Sequence, residues 1–387
     1  MGNAAADYVA ELKRSIKLTD KEEAFLIAGR IRSHAALLGV AYAFPVLAGR
    51  LDLDFAKLSN AATRGLQPAA RASHQAFLAR ASKPGLLPTL RYGARPSPRS
   101  PVQVGATVPL PPAVAAAPAA GGPLSGLAPA DVDKLGWLVR NQANRGTCVS
   151  FATTACREFV AFLAGSPVTL DLSEQFFYYA IKQQPGEPWT TTTLVEDDGT
   201  TLGFANLAMA ATGVCDCSFW SYDQNFIPGN PGQGDATHPS AAAVADAATR
   251  MMNGTYADMG QATGRAQAVY DLLASRQRPV AITVPIFTDP TTKQSNWSTS
   301  TAWAYGEVID PLPSLSRTGG HAVAITGFRP DPAESTGGYF IFRNSWAADW
   351  GANTTPAPVG QLSSGRAGYG IISATYIDQY LEETLVL

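Results

Sequence analysis

The chain has 387 residues, of which 46% are hydrophobic and 16% charged, with a net charge of −2. That length suits one large domain plus a smaller one, and the composition is that of a globular protein with a sizeable core. Nothing in the near-neutral total points to nucleic acid as a partner. The charge is uneven, however: residues 1–100 carry 15 Lys and Arg against 7 Asp and Glu, and the remainder 14 against 24. Such parts attract each other, within one chain or across a dimer, unless the difference is mere drift in surface composition.

The opening MGNAAADYVAELKRS has no apolar h-region, so no signal peptide is expected and the cytoplasm is the default compartment, with export by a non-classical route left open. The most apolar run, Ala35 to Gly49, contains Pro45 and is too short to span a bilayer; it reads as a buried helix. Across residues 7–83, Leu12, Ile16, Ala24, Ile27, Ile31, Ala35 and Leu38 recur at helical spacing, with Asp20 and Ser59 as candidate N-caps. From about Arg95 to Pro129 the composition turns rich in Pro, Ala and Gly and reads as a linker. Helices are then predicted over 149–164, 173–182, 202–212, 239–252 and 264–277, and strands over 279–287, 322–328 and 339–343. Helices first and strands later, without βαβ alternation, define an α+β domain.

Four cysteines, Cys148, Cys156, Cys215 and Cys217, are too few and too bunched for a disulfide framework. One C-x-C with no nearby His is weak support for zinc, so Cys156, Cys215 and Cys217 read as structural and no metal or cofactor is expected. Cys148 is different. Gly146 and Thr147 break the chain just before a helical pattern begins, and a helix N-terminus or a neighbouring imidazolium lowers a thiol pKa. Of the four histidines, His321 opens a strand behind two glycines, in TGGHAVAITGF, where its side chain can face a cleft. Asn344 ends the next strand and is placed to orient it.

VRNQANRGTCVSFA resembles the active-site segment of papain-like cysteine peptidases (the C1 family), and GGHAVAITGF followed by YFIFRNSWAADWG resembles that family's His and Asn segments. LSEQFFYYA, DGTTLGFANLAMAATGVC, RPVAITVPIF and GYGII are further matches, so the resemblance covers about residues 130–380, and the RGTCVSFA form is similar to the bacterial branch. It implies a two-lobed domain over 130–387, with a helical left lobe and an antiparallel β-barrel-like right lobe. A helical region (1–90) and a linker (91–129) precede it. The implied catalytic roles are nucleophile for Cys148, base and acid for His321, imidazole orientation for Asn344 and an oxyanion donor for Gln142. Gly199, Gly320, Ala322 and Trp346 are the implied substrate-binding positions; the small flanks of His321 point to an apolar residue two before the scissile bond. Trp346 is also expected to shield the Asn–His hydrogen bond.

The sequence departs from the family's pattern in places. Ala143 stands where Gly is usual, Val149 where Trp is common, and Arg145 where many members have a disulfide Cys. The long separation of Cys148 and His321 is assigned to insertions near 226–240 and 290–318, read as loops that shape or cover the cleft. The implied partner is a peptide or protein substrate, with no nucleic acid and no membrane span. The N-terminal region is expected to be either an autoinhibitory pro-segment docked on its own catalytic domain or a module for a partner protein. Two other functions stay open: a catalytically silent binding protein on the same fold, and acyl transfer to an acceptor other than water.

Overall fold

The computed structural model describes residues 4–66, 68, 71, 72, 75, 93–96, 107, 108, 122–133, 139–167, 169–187, 199–224, 238–352 and 362–387. The N-terminal part begins with helices α1 (Ala4–Lys13), α2 (Asp20–Ala28), α3 (His34–Ala43), α4 (Leu47–Leu51) and α5 (Phe55–Gly65). Thr19 caps α2 in a capping box with Glu22, so the expected cap Asp20 is instead the first helical residue. Asp54 caps α5, which leaves Ser59 inside the helix. The apolar run 35–49 is not one helix: α3 stops at Phe44, before Pro45, whose ring cannot continue the preceding turn.

Strand β1 (Ala130–Asp131) leads into the helical lobe, made of α6 (Cys148–Leu163), α7 (Glu174–Lys182), α8 (Leu202–Ala211) and α9 (Ala241–Ala248). The rest alternates: β2 (Thr255–Asp258), α10 (Arg265–Arg276), β3 (Val280–Thr288), α11 (Ser300–Tyr305), β4 (Ser316–Pro330), β5 (Gly338–Arg343), β6 (Tyr369–Ser373), α12 (Ala374–Tyr380) and β7 (Glu383–Val386). The strands form one antiparallel sheet in the order β2-β7-β3-β4-β5-β6, with β1 also on β4. The α+β class expected from the sequence is what the described residues form. Helix α9 is shorter than the predicted 239–252 and β4 much longer than the predicted 322–328.

Strands β3 and β4 form the seam between two cores. Along β4, Val323 and Ile325 join the larger core while Ala322 and Ala324 face the helical one. That is the period of two expected of a strand, and alanines on the second face let α6 pack close. Ile282, Val284 and Ile286 of β3 join the larger core, and Ala281 the smaller.

The larger core does not stop at the sheet. Phe25, Leu37, Val40, Phe44 and Leu58 of the N-terminal helices are fully buried in it with Trp297, Leu312 and Leu315. Ion pairs edge this contact: Arg30 to Asp310 (2.7 Å) and Glu334 (2.5 Å), Arg32 to Glu307 (2.8 Å), and Arg50 to Asp289 (3.2 Å). The basic N-terminal part and the acidic remainder thus meet within one chain.

Two further expectations meet a different outcome. Residues 290–318 are not a surface loop: they carry α11 and the buried Trp297 and Trp303, and α11 packs on α3. The described parts of the expected linker lie on the domain, with Val108 N donating to Leu315 O and Leu124 N to Thr336 O. Much of that linker, most of the predicted helix beyond residue 66 and most of the 226–240 insertion fall outside the described residues.

Candidate active site

Cys148 is the first residue of α6, and its sulfur lies where the helical lobe meets β4; Ala322 N donates to Sγ at 3.4 Å. His321, one residue earlier on β4, pairs in register with Val284 and is fully buried. Its Nε2 lies 2.9 Å from Asn344 Oδ1. The same oxygen accepts from Ser345 N at 2.8 Å, which fixes the Asn344 amide with its oxygen toward the ring. An acceptor there requires the proton on Nε2, so in the neutral imidazole Nδ1 carries the lone pair. Trp346 stacks on the ring at 4.4 Å and Trp297 meets it edge-on at 5.2 Å. These indoles enclose the His321–Asn344 bond in apolar surroundings, where a hydrogen bond is stronger than in water.

Gln142 is fully buried and clamped to the Asn344 segment. Gln142 N donates to Ser345 O (2.8 Å), Ala347 N donates to Arg140 O (3.0 Å), and the Ser345 hydroxyl donates to Gln142 Oε1. Gln142 Nε2 donates to Arg145 O at 2.7 Å. Arg145, at the position where many papain-like enzymes place a disulfide Cys, is itself buried. It donates to Gln175 Oε1 (2.6 Å) and Asp223 O (2.8 Å), and lies 4.8 Å over the Tyr222 ring. Tyr222 in turn donates to Gln142 O (2.9 Å) and shares a hydrogen bond with Thr147 (2.7 Å). Hydrogen bonds thus hold the turn before Cys148; all four cysteines are free thiols.

A short piece of the chain's own N-terminal part lies across this site. Gly93 N donates to Cys148 Sγ at 3.3 Å. Thr200 N donates to Gly93 O (2.8 Å), Ala94 N to Gly320 O (3.0 Å) and Arg95 N to Thr200 O (2.8 Å). Residues 93–95 therefore bridge the two lobes as an added strand, using Thr200 on one side and Gly320 on the other. The fit is tight: a Cβ on Gly93 would lie 1.9 Å from Gly146 O, and one on Gly199 2.0 Å from Gly93 O.

Burial changes the electrostatics expected from the sequence. It pushes the Cys148 thiol up to about 11, against the opposing pull of the N–H groups of Ala322, Gly93 and Val149. Burial likewise takes the His321 imidazole down to about 4, although the Asn344 hydrogen bond opposes it. With the strand in place, burial thus favours the neutral thiol and the neutral imidazole over their charged forms.

Of the sequence-predicted residues, Cys148, His321, Asn344 and Gln142 lie in one constellation, and Gly320 and Ala322 border the sulfur and the added strand. Gly199 sits beside that strand at φ +79°, and Trp346 lies against the His321 ring. Sequence reasoning missed Trp297, Tyr222, Ser345 and the strand 93–95. No helix among the described residues is long and apolar enough to cross a membrane, and none of their His, Cys, Asp and Glu form a group of three or more that could hold a metal ion.

No family model and no curated protein matches the chain. Among solved structures it is similar to xylellain, a cysteine protease from Xylella fastidiosa (TM-score 0.49, 18% identity, covering 77% of this chain and 98% of that one). It is also similar to digestive procathepsin L 3 of Tenebrio molitor larval midgut (0.45, 16%, 99% and 98%) and to the proform of the ragweed pollen cysteine protease Amb a 11 (0.41, 11%, 99% and 93%). With TM-scores below 0.5, these likenesses carry no weight beside the site's own geometry.

Proposed function

We propose that the protein is a cysteine endopeptidase of the papain-like kind, with Cys148 as nucleophile, held inactive by its own residues 93–95. The observation that carries this reading is the His321 ring, fixed by Asn344 in the Nε2–H tautomer, one residue from the backbone N–H that meets the Cys148 sulfur.

In the open form His321 Nδ1 takes the thiol proton and the thiolate attacks a peptide carbonyl carbon. The developing oxyanion is met by Cys148 N–H and by Gln142 Nε2, once the amide turns from Arg145 O; one such donor is worth roughly 3–4 kcal/mol. The imidazolium then protonates the leaving amine, which departs and leaves a thioester on Cys148. His321 next deprotonates a water, which attacks the thioester and releases the carboxylic acid and the free thiol. Asn344 keeps the ring oriented throughout.

Residues 93–95 suit an inhibitor rather than a substrate because of what they offer the sulfur. It meets an N–H, not a carbonyl carbon, and the Gly93 carbonyl is engaged by Thr200 N instead. The strand thus fills the site without presenting an electrophile.

The test is hydrolysis of a mixed peptide pool by the full chain carrying Gly93→Ala, with and without Cys148→Ala. Cleavage only in the first supports the reading, and inclusion of an amine acceptor separates hydrolysis from acyl transfer. Cleavage that survives Cys148→Ala would refute it.

A further inference from the structure

The strand that fills the site carries one long side chain, and a carboxylate in the wall receives it. Arg95 Nη2 donates to Glu187 Oε2, and the guanidinium lies 5.9 Å over the Phe204 ring. Glu187 is only 7% exposed. Its other oxygen is fixed by Lys182 Nζ at 2.6 Å. Lys182, whose side chain is fully buried at the end of α7, also donates to Gly199 O at 2.6 Å. Lys182 therefore ties Glu187 to the backbone edge, Gly199–Thr200, that pairs with the added strand. One Glu187 oxygen is committed to the protein, and the second faces whatever side chain the strand presents there. Arg95 keeps 21% side-chain exposure, so its site is reachable from solvent.

We propose that Glu187 is a specificity-determining residue, recognising an Arg or Lys side chain of the substrate two or three residues from the scissile bond, in the place Arg95 now holds. The proposal rests on the cysteine-peptidase reading. A substrate strand that uses the Thr200 edge brings every second side chain to one wall, and Gly93 at the sulfur sets the distance: Arg95 is two residues on. Lys182 offsets the charge of Glu187, so selectivity comes from a directed, charge-assisted hydrogen bond and the apolar face of Phe204, which favour a guanidinium over a leucine. An acidic side chain would meet the Glu187 oxygen and be disfavoured.

Two measurements on the full chain test this. The first is the rate at which a thiol-directed epoxide alkylates Cys148. Arg95→Leu should speed it several-fold and Arg95→Lys should stay near wild type; equal rates for all three would overturn the proposal. The second is a peptide panel for the Gly93→Ala chain, with Arg, Leu or Glu placed at each of three positions on either side of the scissile bond. Arg should be preferred over Leu by about tenfold at one position, with Glu slowest, the effect of one charge-assisted contact. Adding Glu187→Gln should bring that ratio toward one. Cleavage with no basic preference, or a preference that survives Glu187→Gln, would overturn the specificity and leave the peptidase reading standing. No cleavage together with no alkylation of Cys148 would overturn both.

Discussion

Gly93 N–H points at Cys148 Sγ from 3.3 Å, so the protein's own backbone occupies the place a substrate would need. The approach depends on glycine: a Cβ at residue 93 would lie 1.9 Å from the carbonyl oxygen of Gly146, a backbone atom that cannot swing aside. Gly93→Ala should therefore displace the strand and raise peptide cleavage by at least about tenfold, the consequence of weakening closure by about 1.4 kcal/mol or more.

Gly199→Ala should behave differently. Its Cβ would meet Gly93 O at 2.0 Å and so also evicts the strand. But residue 199 sits at φ +79°, where a non-glycine residue is strained, and it belongs to the edge a substrate would use. Steady-state assays should find Gly93→Ala activated and Gly199→Ala not.

The closed site has a defined pH window. His321 is depressed from 6.5 to about 4 by burial, so its contribution to closure is complete above about 6.5 and is lost as pH falls through 4. Cys148 is raised from 9.0 to about 11 by burial, so its contribution is complete below about 9 and is lost as pH rises through 11. Closure is strongest between these limits. Epoxide alkylation needs the thiolate, so the wild-type rate should climb with pH until the buried thiol ionises near 11, whereas Gly93→Ala should reach its thiolate plateau at a pH far below 11. Coincident profiles would show that the strand does not set the thiol's environment.

Asn344→Ala removes the acceptor that holds the imidazole in its Nε2–H form. In the Gly93→Ala background, kcat should fall about a hundredfold with little change in KM, since the amide orients the base and does not touch substrate.

Arg30 joins the N-terminal helices to two buried carboxylates, Asp310 and Glu334. Arg30→Ala removes the cation from both, leaving Glu334 its backbone N–H donors and Asp310 the Ser373 hydroxyl, and should cost about 3 kcal/mol in urea unfolding. Deleting residues 1–125 should cost more, because Leu312, Leu315 and Trp303 share their core with the N-terminal helices. An unchanged midpoint for Arg30→Ala would mean that these ion pairs add nothing to domain stability.

Cys148, His321, Asn344 and Gln142 were legible because each sits in a distinctive local pattern: a helix mouth, a glycine pair before a strand, a strand end, an upstream amide. Helices α6, α7 and α10 were legible for the same reason, a local pattern of apolar residues at helical spacing. Trp297 was not, since it lies in a Pro-, Ser- and Thr-rich stretch whose buried order comes from packing on α3. Gly93–Arg95 read as linker because nothing in its composition says that its backbone pairs with Thr200 and Gly320. Strand β7 escaped as well: it is four residues long and lies between β2 and β3 in the sheet, a placement local pattern does not encode.

The most direct measurement is intact mass after brief exposure to a thiol-directed epoxide at pH 7.5, for the wild-type chain, Gly93→Ala, and Gly93→Ala with Cys148→Ala. The account predicts one adduct on Gly93→Ala, far less on wild type, and none on the double variant. An adduct that persists without Cys148, or wild type and Gly93→Ala that label at the same rate, would contradict it.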